Sequence, residues 1–248
     1  MRYFAFISYN GFNYKGFQKQ VNGFTVQSVV EYSLEKIFKS KIKIVISSRT
    51  DSGVHSYNNC FHFDIPFKIN CDCIKESLNT ILPWDISILE IKEVIENAHS
   101  RFSAIKRRYR YVITNKNDPF EIGYYYNRFE SLDVDKMNHV AKYLLGETSF
   151  KSFSKINKNE KHDYKCIIYD SFCSKSNGKI FFEIEGNRFT HSLVRCLMFN
   201  ILQIGIGKFT FDEFKNRLIS TDMKLKKGIA PAIGLILVKV YYDDKIWL

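Results

Sequence analysis

The sequence predicts an α+β protein built from two similar halves, residues 1–105 and 106–248, each a sheet backed by helices, with function at their junction. Two observations carry this. Runs of alternating apolar residues interleave with stretches of helical periodicity, and the same succession of elements starts again near residue 106 without a low-complexity linker. With 248 residues, 45% of them hydrophobic, the chain has enough apolar material for substantial buried cores, which excludes a disordered polymer.

The first half opens on an apolar strand, Arg2 to Tyr9, followed by a Gly- and Asn-rich segment from Asn10 to Gly23. Val26, Val29, Val30, Leu34, Ile37 and Phe38 then follow helical spacing, and Thr25 is placed to cap the first free amides. Ile42 to Ile46 and Cys60 to Asp64 alternate with period two and read as strands. A helix starting near Asn70, a turn at Leu82-Pro83-Trp84-Asp85 and a strand from Ile86 to Ile91 complete the half. In the second half, Arg107 to Thr114 is a strand and Asp133 caps a helix running to Leu145. Strands around Cys166–Phe172 and Ile180–Ile184 precede a helix through Phe189, Leu193, Leu197, Ile201 and Ile204, whose repeat marks a buried face. Another helix starts near Thr210, and Gly234 to Tyr242 has the continuous apolar character of a central strand.

Lys and Arg number 37 against 26 Asp and Glu, a formal charge of +11, which favours a polyanionic partner and above all nucleic acid. The positive residues are spread along the chain, without the basic amphipathic tail of a membrane-surface protein. No stretch approaches the ~18 uninterrupted apolar residues of a membrane-spanning helix, and the first residues lack the pattern of a signal peptide, so a cytoplasmic location is expected. The six cysteines contain no Cys-x-x-Cys pair, which argues against structural zinc and for free, mostly buried thiols. His55, His62, His99 and Asp64 lack metal-ligand spacing, and Gly205-Ile206-Gly207-Lys208 lacks the strand and glycine pattern of a nucleotide loop, so it reads as a helix end.

Chemistry concentrates in Ser47-Ser48-Arg49-Thr50-Asp51-Ser52-Gly53-Val54-His55, a polar loop between two strands that presents Asp51. On composition alone Asp51 is either a turn residue capping nearby amides, with Gly53 supplying positive φ, or a functional carboxylate held ionised by Arg49. Lys106-Arg107-Arg108-Tyr109-Arg110-Tyr111 interleaves cations and aromatics on a strand. Arg108 and Arg110 share one face there, and Tyr109 and Tyr111 share the other. The plain reading is a surface strand with tyrosines in the core; the functional one stacks a base on a tyrosine and sets arginines on phosphate. Phe189-Thr190-His191-Ser192-Leu193-Val194-Arg195 opens the later helix with Arg195 beside its buried face. Arg195 either snorkels to water or pairs with a carboxylate.

The Asp51 loop resembles the signature of the TruA family of tRNA pseudouridine synthases, usually Gly-Arg-Thr-Asp-Ala-Gly-Val-His, with Ser48 and Ser52 as departures. Ser48 would tighten the turn if that position takes positive φ. The resemblance continues through Tyr9-Asn10-Gly11 and Gly16-Phe17-Gln18-Lys19-Gln20, where the family has Asp for Asn10 and Trp for Phe17, then Val26-Gln27, Leu82 to Ile86, His99-Ser100-Arg101-Phe102-Ser103-Ala104, Arg108 to Tyr111, Phe189 to Arg195 and Ala230-Pro231-Ala232-x-Gly234-Leu235, in the family's order. It implies mostly antiparallel sheets joined around a central basic active-site cleft, the N-terminal half carrying the Asp loop and the C-terminal half the active-site Tyr and Arg. It also implies isomerisation of uridine to pseudouridine at positions 38, 39 and 40 of the anticodon stem-loop of tRNAs, by a homodimer. Asp51, Arg49, Tyr109 and Arg195 would be catalytic, with Tyr109, Arg108, Arg110, His55, Arg101 and Lys19 on the RNA. Asp51 would attack ribose C1′ or base C6, or take a ribose proton; the sequence does not choose. No cofactor or metal is required by that chemistry. An RNA-binding protein that keeps the fold without the reaction, or a synthase for another RNA, are the competing expectations.

Overall fold

The computed structural model describes residues 1–116, 118–121, 123–128, 130–154, 163–220 and 228–248. It is α+β, with mostly antiparallel strand pairing and five α-helices among the described residues. The chain divides into two compact units, Met1–Arg107 with Ile236–Leu248, and Arg108–Leu235. The expected division after residue 105 therefore differs at the far end, where the last strand returns to the first unit.

In the first unit, β1 (Arg2–Tyr9) runs antiparallel between β3 (His55–Asp64) and β4 (Ile86–Val94), and β10 (Leu235–Tyr242) joins β3 in parallel. Strand alternation splits β1 between two cores. Tyr3, Ala5, Ile7 and Tyr9 pack with Phe61, Phe63 and the buried faces of α1 (Val26–Phe38) and α2 (Cys71–Ile81). Phe4 and Phe6 pack on the other side with Cys60, Val94 and Ile246, covered by Tyr242 and Trp247.

Local chemistry sets the helix starts. Thr25 accepts the Ser28 amide while the Ser28 hydroxyl accepts the Thr25 amide, a reciprocal cap, and Asn70 accepts the Cys73 amide. The period-two run from Ile42 to Ile46 is only partly a strand: burial does alternate, but only Val45–Ile46 forms a ladder, as the short β2 against β3.

In the second unit the strand order is β5 (Ala104–Thr114), β9 (Lys179–Gly186), β8 (Lys165–Ser176), β7 (Gly146–Ser149), with β6 (Tyr126–Asn127) beside β5. Helix α3 (Val134–Tyr143), capped by Asp133, packs on β8 and on α4 (Leu193–Gly205). Helix α4 is buried nearly all round rather than on one face. It also begins later than expected: Phe189 lies in the preceding loop, and Ser192, with φ of 58°, breaks the helix before Leu193. As expected, Gly205 ends α4, and Gly207, in the left-handed region, closes the turn. Thr210 and Glu213 form a reciprocal cap on α5 (Phe211–Ile219).

All six cysteines are free: Cys60, Cys166, Cys173 and Cys196 are buried, Cys71 is half-buried and Cys73 exposed. Burial pushes the Cys166 and Cys173 thiols up to about 11 and about 12, which keeps them protonated and unreactive. No helix among the described residues is long and apolar enough to cross a membrane. No group of three or more His, Cys, Asp or Glu among them is arranged to hold a metal ion.

Strand β3 of the first unit carries a buried histidine whose protonation opposes the fold. His62 is 4% exposed, and its Nδ1 accepts the Ser100 amide at 3.2 Å. A proton on Nδ1 would face that N–H. Burial first, and then the neighbouring Arg2 and His99, bring His62 down to about 4. Its value in the unfolded chain is about 6.5. Between these values the unfolded state binds more protons, so stability is present above about 6.5 and is lost as pH falls toward about 4. The unfolding free energy of the wild-type chain should therefore fall more steeply across that window than that of His62→Gln, as measured by urea denaturation at several pH values. Equal slopes would remove His62 as the cause.

Candidate active site

The Asp51 loop is held by hydrogen bonds along its length. The Ser47 amide donates to the Cys60 carbonyl at 2.8 Å, and Asn59 Nδ2 donates to the Ser48 carbonyl at 2.9 Å. Ser48 is not in the left-handed region, so it does not strain the turn, and its Oγ accepts Arg107 Nε at 3.3 Å. Thr50 is buried, with its hydroxyl 2.8 Å from that of Tyr9. Gly53, with φ of 80°, does supply the positive-φ position.

The segment after β1 supplies the rest. The Ser52 hydroxyl and the Gly53 amide both donate to the Tyr14 carbonyl, at 3.2 and 3.3 Å, and the Phe17 amide donates to the Thr50 carbonyl at 3.3 Å. Tyr14 is in turn fixed by its own hydroxyl, which donates to Asp85 at 2.6 Å in the predicted Leu82–Asp85 turn. Burial and that carboxylate push the Tyr14 phenol well above its ordinary value, so it remains a donor.

The two backbones approach too closely for side chains. A Cβ on Gly11 would lie 1.9 Å from the Val54 carbonyl oxygen, and one on Gly16, whose φ is 86°, would lie 2.7 Å from that of Thr50. Asp51 emerges from this clamp half-buried. Arg49 is exposed, and Thr50 between it and Asp51 turns inward to Tyr9. His55, expected on RNA, is instead interior: it is 3% exposed and its Nδ1 accepts the Gly11 amide. Lys19 and Arg101 are on the surface, Lys19 beside Glu31 at 3.3 Å and Arg101 over the Phe102 ring.

In the second unit, the strand alternation of β5 is as expected. Tyr109 and Tyr111 are buried, at 8% and 0% exposure, and Tyr109 meets the Phe189 ring edge-on at 5.2 Å. Arg108 and Arg110 share the other face, where both grip Glu183. Arg108 Nε donates to one carboxylate oxygen at 2.9 Å, and Arg110 donates to the other through Nε and Nη2 at 2.9 and 2.7 Å. Burial alone would lower the Arg108 guanidinium, but Glu183 and Asp170 more than reverse this and raise it. Sequence reading missed Glu183; the signal was an acid within the apolar run of β9, which requires a cation once buried.

Arg195 sits in the first turn of α4, where its Nε donates to the Ala230 carbonyl at 2.8 Å while the Ala230 amide donates back to the Arg195 carbonyl. The Tyr111 hydroxyl donates to the Pro231 carbonyl at 2.8 Å. Two sequence motifs far apart in the chain, Phe189–Arg195 and Ala230–Gly234, are thus one structural piece.

A family model described as tRNA pseudouridine synthase matches residues 5–103 and 140–243 of this chain. The chain belongs to the tRNA pseudouridine synthase family. This is an isomerase family. Among relatives, the tRNA pseudouridine synthase A of Parabacteroides distasonis is 36% identical over 99% of this chain and 98% of its own length. That of Bacillus subtilis is 36% identical over 98% of this chain and all of its own, and that of Listeria monocytogenes 34% identical over 98% and 99%. The stretches matched by the family model contain Asp51 and Arg195, while Tyr109 falls between them and is covered by the full-length relatives.

The close approach of the two loops yields a test. Gly16→Ala combines a left-handed φ with a Cβ against backbone, and it is expected to cost roughly 1–3 kcal/mol of stability. Turnover should fall with it if the clamped loop carries the reaction. Chemical denaturation measures the first effect and pseudouridine formation the second; an unchanged denaturation midpoint would show that the loops are not clamped at this point.

Proposed function

We propose that this chain isomerises uridine to pseudouridine at positions 38, 39 and 40 of the anticodon stem-loop of tRNAs, with Asp51 as its nucleophile. The observation that carries this reading is the clamped loop. A half-buried carboxylate is presented by a backbone fixed on both sides, in a chain similar along its whole length to proteins named tRNA pseudouridine synthase A. Such rigidity is what nucleophilic attack on one carbon requires.

The reaction breaks the bond from base N1 to ribose C1′, turns the base and joins C5 to C1′, with loss of the C5 proton and gain of one at N1. Nothing is oxidised or hydrolysed, so it needs no cofactor or metal. The Asp51 carboxylate attacks C1′ and is displaced by C5, or adds to C6 and is eliminated with the C5 proton after C5 has joined C1′, or takes a ribose proton and returns it once the new bond has formed. Tyr109, steadied by the Phe189 ring, takes the role of the tyrosine placed against the base, and Arg195 that of the arginine pairing with the carboxylate. Arg49, exposed beside Asp51, suits a phosphate of the flipped nucleotide. Arg101 and Lys19 extend the basic surface. Arg108 and Arg110, about a third exposed while Glu183 holds them, offer RNA one remaining edge each. The working form is a cytoplasmic homodimer.

Asp51→Asn is the decisive variant. It is nearly the same shape, so tRNA affinity should stay within about twofold, while release of tritium from tRNA labelled at uridine C5 should fall by roughly a thousandfold or more. Wild-type turnover in a clean preparation would remove Asp51 as the nucleophile. Equal, absent release from both proteins would point to an RNA-binding protein without the chemistry.

A further inference from the structure

One exposed aromatic side chain in the first unit stands on a support far more rigid than its exposure suggests. Phe102 lies in the loop between β4 and β5 and is 76% exposed. The backbone around it is tied at nearly every residue. Arg2 Nη1 donates to the Ala98 carbonyl at 2.8 Å, the Tyr242 hydroxyl to the Ser100 carbonyl at 2.6 Å, and Arg107 Nη2 to the Arg101 carbonyl at 2.8 Å. Ser100 is wholly buried and donates through its hydroxyl to the Val45 carbonyl at 2.7 Å. His99 and Ser103 close the loop on themselves, amide to hydroxyl at 2.9 Å and amide to carbonyl at 2.8 Å.

The side chains form a column of rings leading out from the core. Buried Phe4 stacks on His62 at 6.0 Å between centroids, His62 meets His99 at 4.7 Å, and His99 meets Phe102 at 4.4 Å. The Arg101 guanidinium lies 5.6 Å from the Phe102 ring. Burial, with Arg2 and Arg101 nearby, lowers His99 below its ordinary range, so the ring under Phe102 is uncharged at neutral pH. An isolated exposed apolar residue needs no explanation. An exposed ring on a pinned backbone with a cation beside it, in a chain of net charge +11, has the composition of a nucleobase platform: a π-face for the base and a cation for its phosphate.

We propose that Phe102 is a stacking platform for an unpaired nucleobase of the tRNA, with Arg101 on the adjoining phosphate. This rests on the proposed tRNA substrate and deepens it. Stacking is tolerant of base identity, so the platform contributes affinity and register without choosing a sequence. Because the backbone that carries the ring is already tied down in the free protein, little backbone entropy is lost on binding.

The experiment compares wild-type, Phe102→Ala and Phe102→Trp full-length proteins for binding of an unmodified tRNA transcript by fluorescence anisotropy, and for tritium release from the same RNA labelled at uridine C5. Phe102→Ala should bind on the order of ten- to a hundredfold more weakly, with KM raised and kcat at saturation kept. Phe102→Trp should retain affinity, and its additional indole fluorescence relative to wild type should be quenched by tRNA. Wild-type affinity in Phe102→Ala overturns the proposal, and so does an indole signal indifferent to RNA. A change in sedimentation of the RNA-free Phe102→Ala protein, with unchanged affinity, assigns the ring to a second copy of the chain and also overturns it. If Phe102→Ala fails to fold, the indole signal of Phe102→Trp decides. A wild-type chain that binds tRNA but releases no tritium defeats the proposed reaction, and the affinity ratio alone then decides the platform.

Discussion

The first unit depends on the crossing of two backbones without side chains between them. Gly11 and Gly16 bring the segment after β1 against the Asp51 loop at separations that no Cβ tolerates. Once the strands are that close, the Tyr14 carbonyl is within reach of both Ser52 and Gly53, the Thr50 carbonyl is within reach of Phe17, and His55 is within reach of Gly11. The loop then has few conformations left, and Asp51 is carried on it much as a side chain is carried on a helix. Polar loops are ordinarily the mobile parts of a fold. This one is built into the framework by hydrogen bonds from a second loop, and Asp85 extends the support one layer further through the Tyr14 hydroxyl.

The second unit solves a related problem with charge. Two arginines on one face of β5 would repel one another beside a buried strand, and a lone Glu183 on β9 would be costly to bury. Brought together, the two arginines satisfy both oxygens of the Glu183 carboxylate, with Asp170 as a more exposed partner of Arg108. The arrangement fixes β5 to β9 in register, and with it the buried side of β5 that carries Tyr109 and Tyr111.

What was legible in the sequence was local. Thr25, Asn70, Asp133 and Thr210 each cap a helix because a short polar side chain before an apolar periodic run has one good use there. The Asp51 loop stood out because its polarity and glycine interrupt two strands. What escaped depends on residues remote in sequence. The Tyr14–Asp85 contact spans 71 positions and the Arg108–Glu183 contact 75, and nothing in either neighbourhood marks its partner. Phe189 was assigned to a helix because apolar spacing cannot distinguish a helical residue from a loop residue packed on a neighbour, here Tyr109.

The first unit is discontinuous, and that has a consequence for the order in which it is made. Its strand β10 pairs with β3, and Tyr242 covers Phe4 and Phe6 and holds the Ser100 carbonyl. These pieces emerge from the ribosome only after the whole intervening unit, Arg108–Leu235, has been synthesised. Until then the first hundred residues keep an open strand edge and an uncovered apolar face. Completion of the unit that presents Asp51 is thereby coupled to completion of the chain up to Tyr242, and a product cut short before that point lacks the strand that closes this unit's sheet against β3.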